Sequence, residues 1–427
     1  MTTDLHSLTA TDAAAKIAAK EISSEELVRA CLDFTAGRED DVGAWEILDP
    51  DFALAEARGA DASAPRGPLH GVPFGVKDII DTAELPTAYG SSIYAGHQPQ
   101  ADAACVAAMR RAGGVLMGKT VTTEFATYQP GKTRNPHNPA HTPGGSSSGS
   151  AAAVGDGMVP LAFGTQTAGS LIRPAAFCGV HAFKPTHGTV NLAGMLELSP
   201  RLDTLGYMAR SVDDLAAFYD VVRGIDDAGP LADGLGRPPR VGICRTHHWQ
   251  EAQPETVEAV ESAAVRFSEL GAEIGDCNLP AHFSDLARTH TTLLCADLAR
   301  SLAGIRQDHG DRISEILRGM IDDGAATDAK TVTDAAAHAE RCMMEFATVT
   351  ADWDVLLTPS APGEAPEGMA TGNPVFQIVW TLLQVPCLTL PWSTGPGGLP
   401  VGVQLIGRKG DDARVLRVGK WLQDRRN

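Results

Sequence analysis

The chain is poor in aromatic residues and in positive charge. Phe, Trp and Tyr make up 5% of its 427 residues, and 35 Lys and Arg stand against 53 Asp and Glu, which gives a net charge of −18. A nucleic-acid-binding surface needs a basic face, so this balance predicts that no nucleic acid is bound. The hydrophobic fraction of 43% and the charged fraction of 21% are typical of an ordinary globular protein.

The sequence also lacks membrane-spanning, secretory and paired-cysteine signals. No run of about 18 apolar residues occurs, and the N-terminal stretch MTTDLHSLTATDAAAK has neither the basic nor the apolar region of a signal peptide. The eight cysteines are scattered and no two have C-x-x-C spacing, so we expect buried, reduced thiols rather than a metal site. These absences predict a cytoplasmic protein without membrane contact.

Short apolar segments alternate with stretches of helical periodicity along the chain. Residues 74–76 are a predicted buried strand that delivers Lys77 to its end, and a predicted helix separates it from a strand at 115–118. Such alternation is typical of α/β proteins. We therefore predict one α/β domain over residues 1–427, in which the mostly helical range 225–350 covers the core. Further strands are predicted at 159–163, 355–357, 387–390 and 400–406.

Lys77 is the first candidate for a chemical role, because it follows a buried strand. A lysine in such a place must be paired with a charge, be neutral, or extend to water. A neutral lysine could serve as a base. Taken alone, however, the position favours a structural role.

The second candidate is the Gly/Ser block PGGSSSGS at 143–150. Its composition is compatible with a flexible linker, although an Ala-rich apolar segment follows it without a change of domain. It is also compatible with a loop that enters a helix, with Ser150 as N-cap. Residues 145–149 match G-x-S-x-G, the nucleophile elbow, with Ser147 as nucleophile. That motif requires a strand directly before it, whereas here a loop of Asn, Pro and Gly precedes the match.

The third candidate is the turn GTQTAGSLIRP at 164–174, which follows a predicted buried strand. A tight turn of small residues can direct several backbone N–H groups at one point, as an oxyanion hole requires. Ser170 at its end would lie beside that point. By itself, the pattern favours an ordinary connection from strand to helix over a catalytic one.

Together the three segments resemble the amidase signature family, and the resemblance extends from about residue 10 to 408. The motifs that carry it include LHGVPFGVKDIID, the Gly/Ser block with the turn after it, LDTLGYMARSVDDLA, WDVLLTPSAP and GLPVGVQLIG. The Gly/Ser block and GLPVGVQLIG are the most specific of these. The resemblance implies a single large domain with a central mixed β-sheet covered by helices on both faces.

The chemistry of that family can be carried over position by position. The resemblance implies Ser170 as nucleophile, Ser146 as proton relay and Lys77 as base, with a cis peptide bond between Gly145 and Ser146. It also implies an acyl-enzyme intermediate, and no metal or cofactor is needed. The implied oxyanion hole consists of the backbone N–H groups of Thr167, Ala168, Gly169 and Ser170.

The turn departs from the pattern that is common in the family. Gln166 stands where Asp is common, Ala168 where Gly is common, and Ile172 where Arg is common, with Arg173 directly after it. This form looks like the malonamidase-type branch, in which the shifted arginine is implicated in binding a substrate carboxylate. Arg173 therefore either selects an acid-bearing amide or is a structural residue that ties the turn to a neighbouring loop.

The rest of the substrate pocket is indicated only by analogy. Tyr128, Gln377 and Trp380 are candidate lining residues, but packing in the core explains aromatic residues equally well. The thirteen histidines are expected to be structural or solvated rather than metal ligands.

The resulting prediction is a serine hydrolase, an amidase that cleaves amide or amide-like C–N bonds in a small molecule such as an amide, hydrazide or carbamate. Its expected partner is that substrate, a homodimer is compatible with it, and nucleic acid and membranes are not expected. One alternative is the amidase subunit of a tRNA-dependent amidotransferase, against which the acidic balance and the altered turn argue. Others are a carbamate or aryl-ester hydrolase with the same triad, and a non-catalytic relative.

Overall fold

The computed structural model describes residues 4–225, 231 and 234–425, and the strands in this part form one sheet of eleven. They are β1 (Trp45–Leu48), β2 (Pro73–Lys77), β3 (Val115–Thr120), β4 (Leu161–Gln166), β5 (His181–Lys184), β6 (Thr204–Ala209), β7 (Arg240–Ile243), β8 (Glu273–Asp276), β9 (Val355–Pro359), β10 (Cys387–Thr394) and β11 (Pro400–Ile406). Their order across the sheet is β1-β3-β2-β4-β6-β5-β10-β11-β9-β7-β8. Neighbours are parallel within β3-β2-β4 and β9-β7-β8 and antiparallel elsewhere, so the sheet is mixed.

Helices cover both faces of this sheet, as the sequence predicted. They are α1 (Ala10–Ala18), α2 (Ser24–Ala36), α3 (Glu39–Val42), α4 (Pro50–Asp61), α5 (Ala104–Arg111), α6 (Ser148–Asp156), α7 (Ile172–Phe177), α8 (Val212–Arg223), α9 (Pro254–Glu269), α10 (Leu286–Ser301), α11 (Ala303–His309), α12 (Glu315–Ala326), α13 (Ala329–Val349), α14 (Val375–Leu382) and α15 (Asp412–Gln423). Short 3-10 turns occupy Leu5–Ser7, Ser92–Tyr94, Glu124–Ala126, Trp249–Glu251 and Ala281–Asp285.

Strands β2 and β4 position the candidate chemistry. They are parallel neighbours with Val76 opposite Phe163, so their carboxyl ends meet at the same edge of the sheet. Lys77 ends β2, and Gln166 ends β4 where the turn begins. Both strands are buried along their whole length, which is typical of strands with helices on both faces.

Two predicted boundaries differ from the structure in ways that have a physical reason. The strand predicted at 159–163 lies instead at Leu161–Gln166, just after Pro160, which has no N–H group to give to the ladder. The range 225–350 contains α9 to α13 but also contributes β7 and β8 to the sheet. Residues 226–230, 232 and 233 of that range lie outside the described residues.

The eight cysteines are buried free thiols, as their spacing predicted. Burial disfavours the thiolate and raises the pKa of Cys31, for example, to about 12. In the described ranges, no helix is both long enough and apolar enough to cross a membrane.

Candidate active site

Lys77 is fully buried, and its polar contacts are with two hydroxyl groups. Its Nζ lies 2.7 Å from Ser146 Oγ and 2.7 Å from Thr165 Oγ1. Burial disfavours the ammonium form and lowers the pKa of Lys77 well below its ordinary value, an effect that the charge of Asp203 opposes. A lysine in such surroundings can be neutral near pH 7 and can then accept a proton.

Asp78, the next residue, pairs with a different lysine. Its Oδ1 lies 3.2 Å from Nζ of Lys119, which is on the neighbouring strand β3, and both side chains are buried. Lys119 also donates to Thr87 Oγ1 and to Pro86 O. Burial raises the pKa of Asp78 to about 6 and lowers that of Lys119, while their mutual attraction opposes both shifts. Of two buried lysines on adjacent strands, one is therefore ion-paired and the other, Lys77, contacts hydroxyl groups.

The Gly/Ser block is a buried connection into α6 rather than a flexible linker. The Gly145–Ser146 peptide bond is cis, as the family resemblance implied. The prediction that Ser150 is the N-cap of this helix is wrong, because α6 begins at Ser148 and Ser150 lies inside it. The Ser150 hydroxyl instead donates to Phe163 O over 2.8 Å, which fastens α6 to β4.

Ser147, the serine of the formal G-x-S-x-G match, is bound to the backbone of β4. Its Oγ donates to Thr165 O over 3.3 Å and accepts from Thr165 N over 3.1 Å. Its own N–H donates to Ser170 O over 3.2 Å. Ser147 thus holds the Gly/Ser block against β4 and against the turn, which is a structural role.

Gln166 organises the turn from within. Its Oε1 accepts hydrogen bonds from Leu171 N and Ile172 N at 3.1 and 3.0 Å, and its Nε2 donates to Thr381 Oγ1. The Thr381 hydroxyl in turn donates to Ala168 O over 2.7 Å. A glutamine supplies both an acceptor and a donor, whereas an aspartate supplies acceptors alone. The departure at this position therefore links the turn to α14.

Thr167 is held by hydrogen bonds from two directions. Its hydroxyl donates to Asp203 Oδ1 over 2.7 Å, and its carbonyl accepts from His290 Nε2 over 2.8 Å. Burial lowers the pKa of His290 to about 4, so the imidazole is neutral near pH 7 and the hydrogen bond assigns its proton to Nε2. In the part of the chain that the structure describes, the backbone N–H groups of 167–170 have no protein acceptor. They are free to bind an oxyanion.

Ser170 lies at a narrow cavity beside the turn. The cavity has a volume of ≈ 20 Å³, enough for about one water molecule. A serine and an oxyanion-type turn at one cavity is the arrangement that acyl transfer requires. The lining residues are Ala126, Thr127, Tyr128, Thr167, Ala168, Ser170, Arg173, Leu198, Leu294, Leu298 and Met320.

Arg173 combines two structural contacts with one guanidinium nitrogen that has no partner among the described residues. Its Nε donates to Thr371 O over 2.6 Å and its Nη2 donates to Gly145 O over 2.8 Å, which ties the turn to neighbouring loops. Nη1 is buried and has no partner among the described residues. Burial lowers the pKa of Arg173 to about 10, which still leaves the group positively charged at neutral pH. The side chain therefore brings a positive charge to the cavity.

The residues assigned by analogy lie in different surroundings. Tyr128 lines the cavity. Gln377 lies behind the turn, where a Cβ on Gly169 would come within 2.8 Å of Gln377 Oε1. Trp380 is fully buried in α14 and packs against Phe346, with 6.0 Å between ring centroids.

Several residues at the site were not predicted. Thr165 and Asp203 lie in motifs that were recognised, but no role was assigned to them. His290, Leu294, Leu298 and Met320 come from α10 and α12, where the sequence carries no motif. Only His290 had a signal in the sequence, because a histidine on the buried face of a helix needs a polar partner.

Among the described residues, no group of three or more His, Cys, Asp or Glu is arranged to hold a metal ion.

The fold and the family match together define an α/β enzyme that acts on C–N bonds. The chain belongs to the amidase signature family, since the family profile, Amidase, matches residues 26–416. The family and fold predicted from the sequence motifs are thereby confirmed.

Individual relatives span almost the whole chain. The chain is 35% identical to a glutamyl-tRNA(Gln) amidotransferase subunit from Chloroflexus aurantiacus, over 99% of this chain and 97% of the relative. Its fold matches that of 6-aminohexanoate cyclic dimer hydrolase with a TM-score of 0.87 and 26% identity, over 99% of this chain and 98% of the other. It also matches peptide amidase from Stenotrophomonas maltophilia with a TM-score of 0.83 and 29% identity, over 98% and 97% of the two chains.

The first of these relatives contradicts the prediction about partners. By its name it is one subunit of an assembly and acts on a tRNA, so the expectation of a small molecule alone, without nucleic acid, is wrong. The expectation rested on the net charge of −18. A total charge does not describe local patches, and one member of an assembly can leave contact with nucleic acid to the others.

Proposed function

We propose that the chain cleaves an amide C–N bond through an acyl-enzyme on Ser170, with Ser146 as proton relay and Lys77 as base. One observation carries the proposal: Lys77 is fully buried with its Nζ 2.7 Å from Ser146 Oγ, at the strand end that adjoins the turn. Burial among hydroxyl groups favours the neutral amine, which a base near pH 7 requires.

In the proposed reaction, Ser170 Oγ attacks the carbonyl carbon of the amide. Its proton passes to Ser146, whose own proton passes to Lys77 Nζ. The negative charge on the carbonyl oxygen is stabilised by the backbone N–H groups of 167–170. The C–N bond then breaks, the leaving nitrogen takes the proton back through Ser146, and ammonia or an amine departs. Water repeats the sequence on the acyl-enzyme and releases a carboxylate.

We further propose that the chain works as the amidase subunit of a tRNA-dependent amidotransferase, in which the ammonia is passed on rather than released. The support is 35% identity over 99% of this chain and 97% of a relative whose name states that activity. An amidotransferase must first take nitrogen from a donor amide, and the proposed triad chemistry does this with a primary carboxamide such as glutamine.

The test of this assembly role is the deamidation of glutamine and asparagine, followed as formation of glutamate and aspartate. The chain is assayed alone and then together with the remaining amidotransferase subunits of its organism and glutamyl-tRNA(Gln). We expect formation of the deamidated product to rise by at least about tenfold with the complete set, as a coupling of more than about 1.4 kcal/mol would give. Equal rates with and without the added components would contradict the assembly role while leaving the triad chemistry intact.

A second candidate, the hydrolysis of an acid-bearing amide, is favoured by Arg173. Its Nη1 is buried and unpartnered among the described residues, at the cavity that Ser170 lines. A buried cation with an unused donor is suited to a carboxylate. A panel of malonamate-like, alkyl, aryl, carbamate and ester substrates, compared between wild type and Arg173→Ala, tests it. Turnover of neutral aryl substrates alone, unchanged in the variant, would rule out the carboxylate role.

A further inference from the structure

We propose that α10 and α12 form the wall that limits the size of the acyl group, and that Met320 sets this limit. The proposal rests on the proposed function, because an acyl pocket exists only if Ser170 is the nucleophile. Leu294 and Leu298 from α10 and Met320 from α12 bring three apolar side chains to the cavity of Ser170. An apolar wall there would contact the methylene groups of the acyl part of a substrate, whereas Arg173 at the same cavity would contact its charge.

The backbone of α12 is fixed at both ends. Before its first turn, the N–H of Ser314 donates to both carboxylate oxygens of Glu124 over 3.0 and 3.1 Å, and a negative charge is stabilising at a helix N-terminus. Near the other end, Gly324 packs on α10 so closely that a Cβ would lie 1.8 Å from Cys295 O. The helix therefore cannot approach α10 further, and its first turn is held beside the cavity loop that contains Glu124.

The α10 side of the wall is fixed as well. His290 donates to Thr167 O over 2.8 Å, which holds α10 against the turn. Leu298 is fully buried and Leu294 is 6% exposed, so both are packed against their neighbours in the closely packed interior. Met320 is half-buried and unbranched, and a methionine side chain adapts to its neighbours. It is the wall residue that can make space.

The size of the cavity then determines the class of substrate. At ≈ 20 Å³ it holds about one water molecule, so the side chains that line it, Met320 among them, limit the room for an acyl group. The wall therefore favours amides whose acyl chain is no longer than that of glutamine, and the size of the side chain at position 320 decides how many methylene groups fit. One methylene in an apolar pocket changes specificity by about 10- to 200-fold.

The test is covalent labelling of Ser170 with methane-, butane- and hexanesulfonyl fluoride, followed by intact-mass spectrometry over time. In these probes the alkyl group takes the place of the acyl chain, and labelling needs no partner protein. The Ser170 oxygen bonds to sulfur, fluoride leaves, and the serine proton passes to the base. The proteins compared are wild type, Met320→Ala, Met320→Phe and the control Met344→Ala, which makes the same change at a methionine that is 73% exposed.

We expect wild type to react with the methyl and butyl probes and to react more slowly with the hexyl probe. Met320→Ala should raise the hexyl-to-methyl rate ratio by at least about tenfold, Met320→Phe should lower the butyl-to-methyl ratio, and Met344→Ala should match wild type. Labelling of Ser170 with the same ratios in all four proteins would overturn the wall proposal alone. Absence of Ser170 labelling by every probe would overturn the proposed function, and the wall with it.

Discussion

Two regions meet at the cavity but are specified by the sequence in different ways: the catalytic segment (residues 143–174) and the cover (residues 286–349). In the catalytic segment even the serines and threonines are buried, and most of their hydroxyl groups have particular partners, as Ser147 has in Thr165. In α13 of the cover the buried side chains are Ala339, Cys342 and Phe346. A buried polar atom requires one particular partner, whereas an apolar stripe requires only shape and volume, so the first region carries a motif and the second does not.

The largest expected effect tests whether the serines of the catalytic segment really differ in role. Ser170→Ala should lower kcat/KM by about 10⁴-fold or more, because the nucleophile is lost. Ser147→Ala should keep kcat/KM within about tenfold and lower the free energy of unfolding by about 1–3 kcal/mol, because it removes the hydrogen bonds to Thr165. An amide hydrolysis assay gives kcat/KM for each variant, and urea unfolding gives its free energy of unfolding. A loss of activity in Ser147→Ala as large as in Ser170→Ala would restore the G-x-S-x-G interpretation.

The next comparison separates the two buried lysines. Lys77→Met should lower kcat/KM by about 10³-fold, because the proposed base is lost, and should raise the free energy of unfolding at neutral pH, because a buried lysine without a carboxylate partner is costly. Lys119→Met should instead destabilise by about 3–5 kcal/mol, because it leaves Asp78 buried without its ion pair. Chemical denaturation distinguishes them, and equal destabilisation by both substitutions would contradict a neutral Lys77.

The pH dependence of wild type sharpens this comparison. The folded state lowers the pKa of Lys77, so between that pKa and the ordinary value of about 10.4 the unfolded chain binds more protons. Stability from this group therefore rises with pH across that window, with a slope of up to about 1.4 kcal/mol per pH unit. Activity should fall at acid pH as Lys77 becomes protonated. Lys77→Met should remove this part of the stability slope, and an unchanged slope would place the titration elsewhere.

A smaller effect is expected at the polar contact between the two regions. His290→Leu removes the hydrogen bond to Thr167 O and leaves that buried carbonyl without its donor, which costs about 1–3 kcal/mol. Because the turn is held less firmly, kcat should fall by about tenfold while KM changes little. His290→Gln, whose amide can donate to the same carbonyl, should recover part of kcat. Equal kcat in wild type and His290→Leu would show that the cover does not position the turn.

The contrast between the regions also explains how far the sequence could predict the structure. The family, the fold class and the places of Lys77, Ser146 and Ser170 followed from motifs in which buried polar groups restrict residue choice. The double role of Gln166 could not be predicted, because it depends on Thr381 in α14, far along the chain. The partner prediction was wrong because composition is a property of the whole chain, whereas partners contact local surfaces.

The cover was predicted only as mostly helical, and its contacts show why. Periodicity identifies a buried face but not what that face touches, so Leu294, Leu298 and Met320 looked like any core positions. Their importance depends on how α10 and α12 lie against the turn. That placement comes from contacts such as Gly324 against Cys295 O, and a close approach of two backbones leaves no pattern in a single sequence.

The smallest expected effect tests whether the side-chain cap of α12 holds the cavity wall in place or only stabilises the folded protein. Ser314 caps α12 by accepting a hydrogen bond from Leu317 N, and Ser23 caps α2 in the same way with Glu26 N. Ser314→Ala and Ser23→Ala should each lower the free energy of unfolding by about 1 kcal/mol. Neither should change kcat/KM more than about twofold, because the backbone N–H of Ser314 keeps its bond to Glu124.

The pair is informative because the stability costs are matched while the distances to the cavity are not. If Ser314→Ala loses far more activity than Ser23→Ala at equal stability, the side-chain cap itself holds the cavity wall in place. If both keep full activity, the backbone contacts at Glu124 and Gly324 are sufficient to hold α12. The cover then tolerates changes at its polar positions, which the catalytic segment does not, and this difference explains why only one of the two regions carries a motif.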